Sequence, residues 1–416
     1  MDQKIHNQPS SYLFNKYVLF VLLALLLVSA WFKVTVIVIL LGLVLATAVL
    51  TRLWSWLSLK AVGFERKISD TRAFPGESVE LQLKITNNKI LPLFWIQIED
   101  EIPLIFNVKT QATEESRPGY GKLSKSTSLL WYSSATWREQ LTCNKRGYYK
   151  LGPLTVTSVD IFGFYPRSAT RNEEEHIIVY PVIYPISEMD IPPLYPVGDT
   201  KAERRIFTDP SRVIGIREYN PHDSLRYIHW KATARHRELQ VKIFEPTTTQ
   251  DIAVFLAVDS FKDQGNLHLD DFELGISTAA SIASYIISEQ KSSAGIFVNT
   301  KLADSQLPAR ILPGSGTKQL MNILEALAKT TSIPDVKFTD FIQNELKSLP
   351  WGTTIILVLG QTVDASTEYL IEHLNSLGYK TTVLYVGTGT SVTDTDYYPS
   401  GRYKVTKPGD LAGAAL

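Results

Sequence analysis

The chain has 416 residues, with 42 Lys and Arg against 42 Asp and Glu, a length that allows two to three domains with separate cores. So even a charge balance excludes a nucleic-acid partner held by a basic surface. The single cysteine, Cys143, excludes an intramolecular disulfide framework and any cysteine-cluster metal site; it reads as a small apolar strand residue.

Residues 17–50 are almost wholly apolar, broken by Lys33. As one helix they would run about 50 Å, well past a hydrocarbon core of about 30 Å. Trp31, Phe32 and Lys33 form an aromatic and basic trio of the kind found at a bilayer interface. Two spans are therefore predicted, 17–32 and 34–50, forming a hairpin within an anchor of residues 1–56. The doubled length and the lack of a small-residue cleavage site argue against a cleaved signal peptide. Lys4 and Lys16 precede the spans, and Arg52, Lys60, Arg66, Lys67 and Arg72 follow them. The positive-inside rule then puts both flanks, and the soluble part, in the cytoplasm.

From residue 57 to 186 the pattern changes to period two. SVELQLKITNN (78–88) alternates apolar and polar positions and ends in an Asn-Asn turn signal. Further short strands follow at 94–99 and in TSLLWYSS, ATWREQLTC and YYKLGPLTVTSVD, while polar 111–125 reads as an exposed hairpin loop. Such spacing predicts an antiparallel β-sandwich. KRGY (145–148) reads as a tight turn and DIFGF (160–164) as a corner that needs the backbone freedom of Gly163.

A connector, 187–249, carries the densest chemistry, in GIREYNPHDSLRYIHWKATARHRELQVKIFE (215–245). His222, His229 and His236 are spaced seven apart and would share one face of a continuous helix. With Asp223 they could suggest a metal or acid–base cluster. One continuous helix is not expected, because Asn220, Pro221, His222 and Asp223 read as a helix start and 239–244 reads as a strand. The reading is structural or docking. Asp223 caps a short helix, Arg226 and Arg235 pair with acids such as Glu218 and Glu245, and Trp230 packs into a seam between domains. An anion held by Arg217, Arg226, Arg235 and Arg237 is the lesser alternative.

Residues 250–416 alternate apolar strands with amphipathic helices: strands at 251–259, 294–298, 354–359 and 381–386, and helices at 271–290, 318–328, 338–346 and 366–377. This predicts a parallel sheet covered on both faces. Ligands in such folds bind at the carboxyl ends of the strands, which is where Asp259 falls. No P-loop, nucleophile elbow, HExxH or dinucleotide fingerprint is present.

Arg217, Tyr219, Asp223, Arg226, Ile228, Trp230, Ala234, Arg235, Leu239 and Phe244 together carry a resemblance to the DUF58 family of bacterial membrane-associated proteins. RGYYKLGP, DIFGFY and the VYP at 179–181 support it. His222 and Thr247 depart from the family's pattern, which commonly has a glycine and an acidic residue there. The resemblance implies a von Willebrand factor A-like, Rossmann-type last domain, a MoxR-type AAA ATPase as partner, and an adaptor role with no established catalytic residue. A von Willebrand-type metal site takes oxygen ligands from Asp-x-Ser-x-Ser and from a distant threonine and aspartate. Here Asp259 matches, Phe261 and Asp263 replace the serines, Gly360 or Gln361 replaces the second aspartate, and Thr317 is only a loose match. Asp259, Asp263 and Thr317 are thus read as a degenerate remnant that binds no metal.

The function expected is a scaffold of the bacterial inner membrane. Arg217, Tyr219, Asp223, Arg226, His229, Trp230 and Arg235 form the docking element, the partner is a MoxR-type ATPase or an envelope protein, and no cofactor or catalytic residue is assigned. The alternatives are a metal-dependent hydrolase using His222, Asp223 and His229, and an extracellular, cation-dependent binding protein.

Overall fold

The computed structural model describes residues 4–7, 16–108, 115–172, 175–186, 208–220, 225–246, 251–263, 266–305, 307–350, 352–360, 364–377, 379–387 and 402–406. The chain divides into two compact units, Met1–Tyr180 and Pro181–Leu416.

The first unit opens with two apolar helices, α1 (Lys16–Trp31) and α2 (Thr35–Ser58). They pack on each other. Lys33 sits in the left-handed region at φ 53°; its amide donates to the Ala30 carbonyl and that of Val34 to the Ser29 carbonyl, each at 3.1 Å. These two bonds close the end of α1 in a Schellman turn, so the break falls at the aromatic–basic trio. Of the two helices only Thr35–Ser58 is long and apolar enough to cross a membrane; Tyr17–Trp31 is apolar but shorter. The second helix continues eight residues past the predicted end at 50. Ala48, Thr51, Ser55 and Ser58 give it a buried stripe at helical spacing, so packing prolongs it after the apolar run has ended.

The remainder of this unit is strand. One sheet has the order Lys4–Asn7, Arg167–Arg171, Leu154–Val159, Leu93–Pro103, Tyr120–Leu129 and Glu115–Arg117. A second has Val62–Ile68, Ser78–Asn87, Ser134–Thr142 and Asn107–Val108, and a third has Gly147–Leu151, Glu175–Val179 and Arg72–Ala73. Apart from the short pairing of Ile178 and Val179 with Arg72 and Ala73, the pairs are antiparallel. Alternate residues, among them Leu81, Leu83, Ile85, Ile96, Ile98, Leu123, Leu141 and Val156, enter one core with Cys143. The predicted loop 111–125 is corrected in its second half, where Tyr120–Leu129 is a strand. Lys122 lies on the outer face of the pleat and pairs with Glu99, whereas Lys125 shares the inward face with Leu123 and pairs with Glu139 of the Ser134–Thr142 strand.

Two more charged residues occupy inward positions and are buried more deeply. Arg66 follows Val62 and Phe64 on its strand, and Asp100 shares a row with Ile96, Ile98 and Ile102. Arg66 Nη1 meets Asp100 Oδ1 at 2.7 Å and its Nε meets Glu175 Oε2 at 2.9 Å, so one guanidinium ties all three sheets together. Burial pushes the Asp100 carboxyl up to about 7 despite the opposing pull of Arg66.

In the second unit the main sheet has the order Pro308–Gly314, Ser293–Leu302, Asp251–Leu256, Thr354–Leu359, Thr381–Val386 and Arg402–Val405. Numbered along the chain this is 3-2-1-4-5-6, the doubly wound order. Strands 2-1-4-5-6 are parallel, but Pro308–Gly314 is antiparallel, and Thr330–Pro334 also pairs antiparallel with Ser293–Leu302. The wholly parallel sheet predicted is therefore a mixed one. The reason is chain length: the segment between Leu302 and Pro308 permits a hairpin, whereas a parallel return needs a crossover of about a dozen residues.

The helices of this unit are α3 (Trp230–His236), α4 (Leu269–Ser288), α5 (Thr317–Lys329), α6 (Phe338–Leu346) and α7 (Ala365–Ser376). Ala253, Phe255, Leu357 and Tyr385 face α6 and α7 through Phe338, Phe341, Ile342, Leu370 and Leu374. On the first strand the intervening residues, Ile252, Val254 and Leu256, are equally buried, and α4 lies against the sheet with α5 beside it. Every position of Thr354–Leu359 is buried, as a strand covered on both faces requires.

Candidate functional site

In a 3-2-1-4-5-6 sheet the order reverses between strands 1 and 4, and the crevice beyond their carboxyl ends is the usual place for a ligand. Asp259 stands there, just past Asp251–Leu256. Its Oδ1 accepts from Asn299 Nδ2 at 3.0 Å and its Oδ2 from the Phe338 amide at 2.9 Å, the first residue of α6. A carboxylate at a helix N-terminus satisfies an otherwise unpaired donor and complements the helix dipole. Asn299 completes the clip: its Oδ1 accepts from the Val258 amide at 2.8 Å and its Nδ2 also reaches the Val336 carbonyl at 3.0 Å. Asp259 thus ties strand 1, strand 2 and α6 together.

The rest of the crevice is closed by the chain itself. Ser260 Oγ accepts from the Gly360 amide at 2.7 Å and donates to the Ala257 carbonyl at 2.6 Å. A Cβ at Gly360 would lie 2.2 Å from the Ser260 carbonyl oxygen, so this close approach admits glycine alone and leaves no room for an acidic side chain. Phe261 turns inward onto Phe272, ring centroids 5.8 Å apart, and over Gly275. Thr317 begins α5 after the antiparallel edge strand, where Gly314 pairs with Ala294 at the start of strand 2. That is the opposite end of the sheet from Asp259, and the two are not brought together. The side chain of Asp263 lies outside the described residues. Among the described residues no three His, Cys, Asp or Glu side chains form a group able to hold a metal ion.

The 215–245 segment folds as a two-stranded ribbon, Thr208–Glu218 against Gln240–Pro246, spanned by a 3₁₀ turn, Leu225–Tyr227, and by α3. The strand at 239–244 is where the sequence places it, while Thr208–Glu218 was not anticipated. His229 is the cap of α3: its Nδ1 accepts from the Ala232 amide at 3.1 Å, and its own amide donates to the Gln240 carbonyl at 2.8 Å. That use of Nδ1 leaves this nitrogen no lone pair for a metal. Thr233 Oγ1 accepts from the Gln240 amide at 3.0 Å, and Tyr219 donates its amide to the Leu239 carbonyl at 2.9 Å. Arg237, at φ 59°, ends the helix in the left-handed position.

His222, Asp223, and the side chains of Arg226, His236 and Glu245, lie outside the described residues, as therefore do the expected Asp223 cap and Arg226 pairing. The helix start expected at 220–223 falls mostly on residues outside those described; the 3₁₀ turn at Leu225–Tyr227 follows it, α3 begins at Trp230, and Trp230 is 69% exposed. Leu225 and Leu239 are exposed with it, as are Arg217, Lys231, Arg235 and Arg237. Arg217 Nη1 donates to the Glu218 carbonyl at 3.1 Å.

Residues 215–387 match the family described as "Protein of unknown function DUF58", a stretch that takes in the ribbon from Gly215 onward and the sheet as far as Thr381–Val386. The "Uncharacterized protein YeaD" of Bacillus subtilis (strain 168) is 24% identical over 231 residues, covering 55% of this chain and 54% of that protein. The match thus spans about half the length of this curated relative. Among solved structures, the sporulation control protein Spo0M from Bacillus subtilis aligns over 29% of this chain and 50% of its own, at 16% identity and a TM-score of 0.18. The alkylpurine DNA glycosylase AlkC of Pseudomonas fluorescens aligns over 39% and 42%, at 12% identity and a TM-score of 0.19. Likeness this slight carries no argument about fold or function.

Proposed function

We propose that the chain is a membrane-anchored adaptor of the bacterial inner membrane, with its soluble part in the cytoplasm and a MoxR-type AAA ATPase or an envelope protein as partner. In this reading a helical hairpin anchors residues 1–56, a β-sandwich spans 57–186, the connector 187–249 presents the docking element, and 250–416 is a von Willebrand A-like domain. The doubly wound order with an antiparallel third strand supports the last assignment, and the clip at Asp259 suits a domain of that kind without metal. The observation that carries the adaptor reading is the ribbon's contrast between a braced backbone and an outward Trp230, with exposed leucines and cations around it. Tryptophan and arginine on a rigid support are the residues that anchor protein interfaces.

Photo-crosslinking in membranes of the native host tests this. A benzoylphenylalanine at position 230 is expected to capture the ATPase, whereas one at Tyr369, also exposed, is not. Arg235→Glu is expected to abolish the adduct without loss of folding. Equal capture at both positions, or none at 230, overturns the docking assignment. Loss of a hydrolytic turnover on His229→Ala with the fold intact would favour the hydrolase, and cation-dependent capture by intact cells the extracellular binder.

A further inference from the structure

The end of the β unit that grips α2 carries a second exposed apolar surface. Six large side chains, Ile90, Leu130, Trp131, Tyr132, Ile161 and Phe162, are 53–73% exposed and come from three separate loops. Single exposed apolar residues are ordinary, but a cluster marks an interaction surface.

The hydrogen bonds show that the three loops share one end of the unit. Asn87 Nδ2 donates to the Leu91 carbonyl at 2.9 Å and to the Leu130 carbonyl at 2.8 Å, tying the first loop to the second. The Tyr132 amide donates to the Lys89 carbonyl at 3.3 Å. Lys89 Nζ in turn donates to the carbonyls of Leu57, Ser58 and Lys60, at the end of α2. The third loop reaches the same turn, where Ser55 Oγ donates to the Tyr165 carbonyl at 2.8 Å and Arg167 Nη1 to the Trp56 carbonyl at 2.9 Å. The Trp54 ring lies 5.4 Å from that of Phe94.

Helix length sets the depth of this end. A hydrocarbon core of about 30 Å takes about 20 residues at 1.5 Å each, so a span beginning at Thr35 leaves the core near Trp54. The next residue, Ser55, is already bonded to the third loop. The tryptophans at 54 and 56 are of the type that settles at the interface, and the Lys60 ammonium lies 3.0 Å from the centre of the Trp56 ring. We propose that these three loops are a lipid-docking surface. The β unit seats Trp131, Tyr132, Phe162 and their aliphatic neighbours in the interfacial layer of the leaflet from which its own helix emerges, with Lys60 and Arg167 toward anionic headgroups. The occupant is lipid because the surface surrounds the exit of the membrane helix. The inference rests on the membrane-anchor reading above.

The test uses the full chain, reconstituted in phosphatidylcholine and phosphatidylglycerol vesicles, with a spin label on one introduced cysteine at a time; Cys143 is buried and stays in place. Val44→Cys reports the middle of α2. Trp131→Cys and Phe162→Cys report the loops, and Ser78→Cys the far end of the Ser78–Asn87 strand, about 30 Å away. The expected result is a several-fold higher ratio of oxygen to nickel-chelate collisions at 44, 131 and 162 than at 78. If 44 is lipid-like while 131 and 162 match 78, the docking inference fails and the anchor stands. If 44 also matches 78, the anchor reading itself fails. Shielding of 131 and 162 from both reagents overturns lipid in favour of a protein covering the loops.

Discussion

The core of the β unit around Asp100 and the corner of the α/β sheet around Asp259 settle a carboxylate in opposite ways. Asp100 lies on an apolar row and is met by one guanidinium, with its Oδ2 left unpartnered. Asp259 receives one neutral donor on each oxygen, a side-chain amide and a helix N-terminus. A cation on one side compensates for burial only in part, so the charge of Asp100 is costly. Donors distributed over both oxygens make Asp259 a joint of the fold.

The largest effect expected from this contrast is on pH dependence. Asp100 has its folded value, about 7, above that of an unfolded aspartate. Its stabilising contribution is therefore complete below about pH 4 and is lost as pH rises through 7, on the order of 4 kcal/mol in all. Thermal unfolding followed from pH 4 to 8 should show this decline in the native protein and a flatter profile in Asp100→Asn. Next comes Gly360→Ala, whose methyl group must push Ser260 aside at a cost of about 3 kcal/mol or more. A normal melting temperature in that variant would break the account of a closed crevice. Asp259→Ala removes both clips and should lower stability by about 2 kcal/mol, with magnesium shifting the melting temperature of neither the variant nor the native chain. The smallest effect belongs to Trp230→Ala, expected to stay within about 0.5 kcal/mol on melting while eliminating partner capture.

Elements with strong periodicity were legible. Phe338–Leu346, Thr354–Leu359 and Thr381–Val386 fall where apolar spacing places them, because burial on one helical face or on both strand faces writes itself into composition. Pro308–Gly314 and Thr330–Pro334 were not legible: each contains proline and buries only one of its positions at a sheet margin, where packing asks little of the side chain. At the site, Asp259 could be placed from the end of its strand. Asn299, which orients it, could not, since it comes from the interior of the next strand and nothing in the spacing links the two. Nor could the contact of Ser260 with Gly360, separated by a hundred residues.

Lys89 has mechanical consequences. Burial lowers its ammonium to about 8, and its three protons match the three carbonyls it meets at the end of α2. With Ser55 and Arg167 bonded to the neighbouring loop, the helix has no swivel where it joins the strands. The helix and the β unit then move as one lever, so any change in the tilt of α2 turns the β unit through the same angle. In alkaline solution the lysine loses a proton and one of the three carbonyls its donor, and the joint slackens.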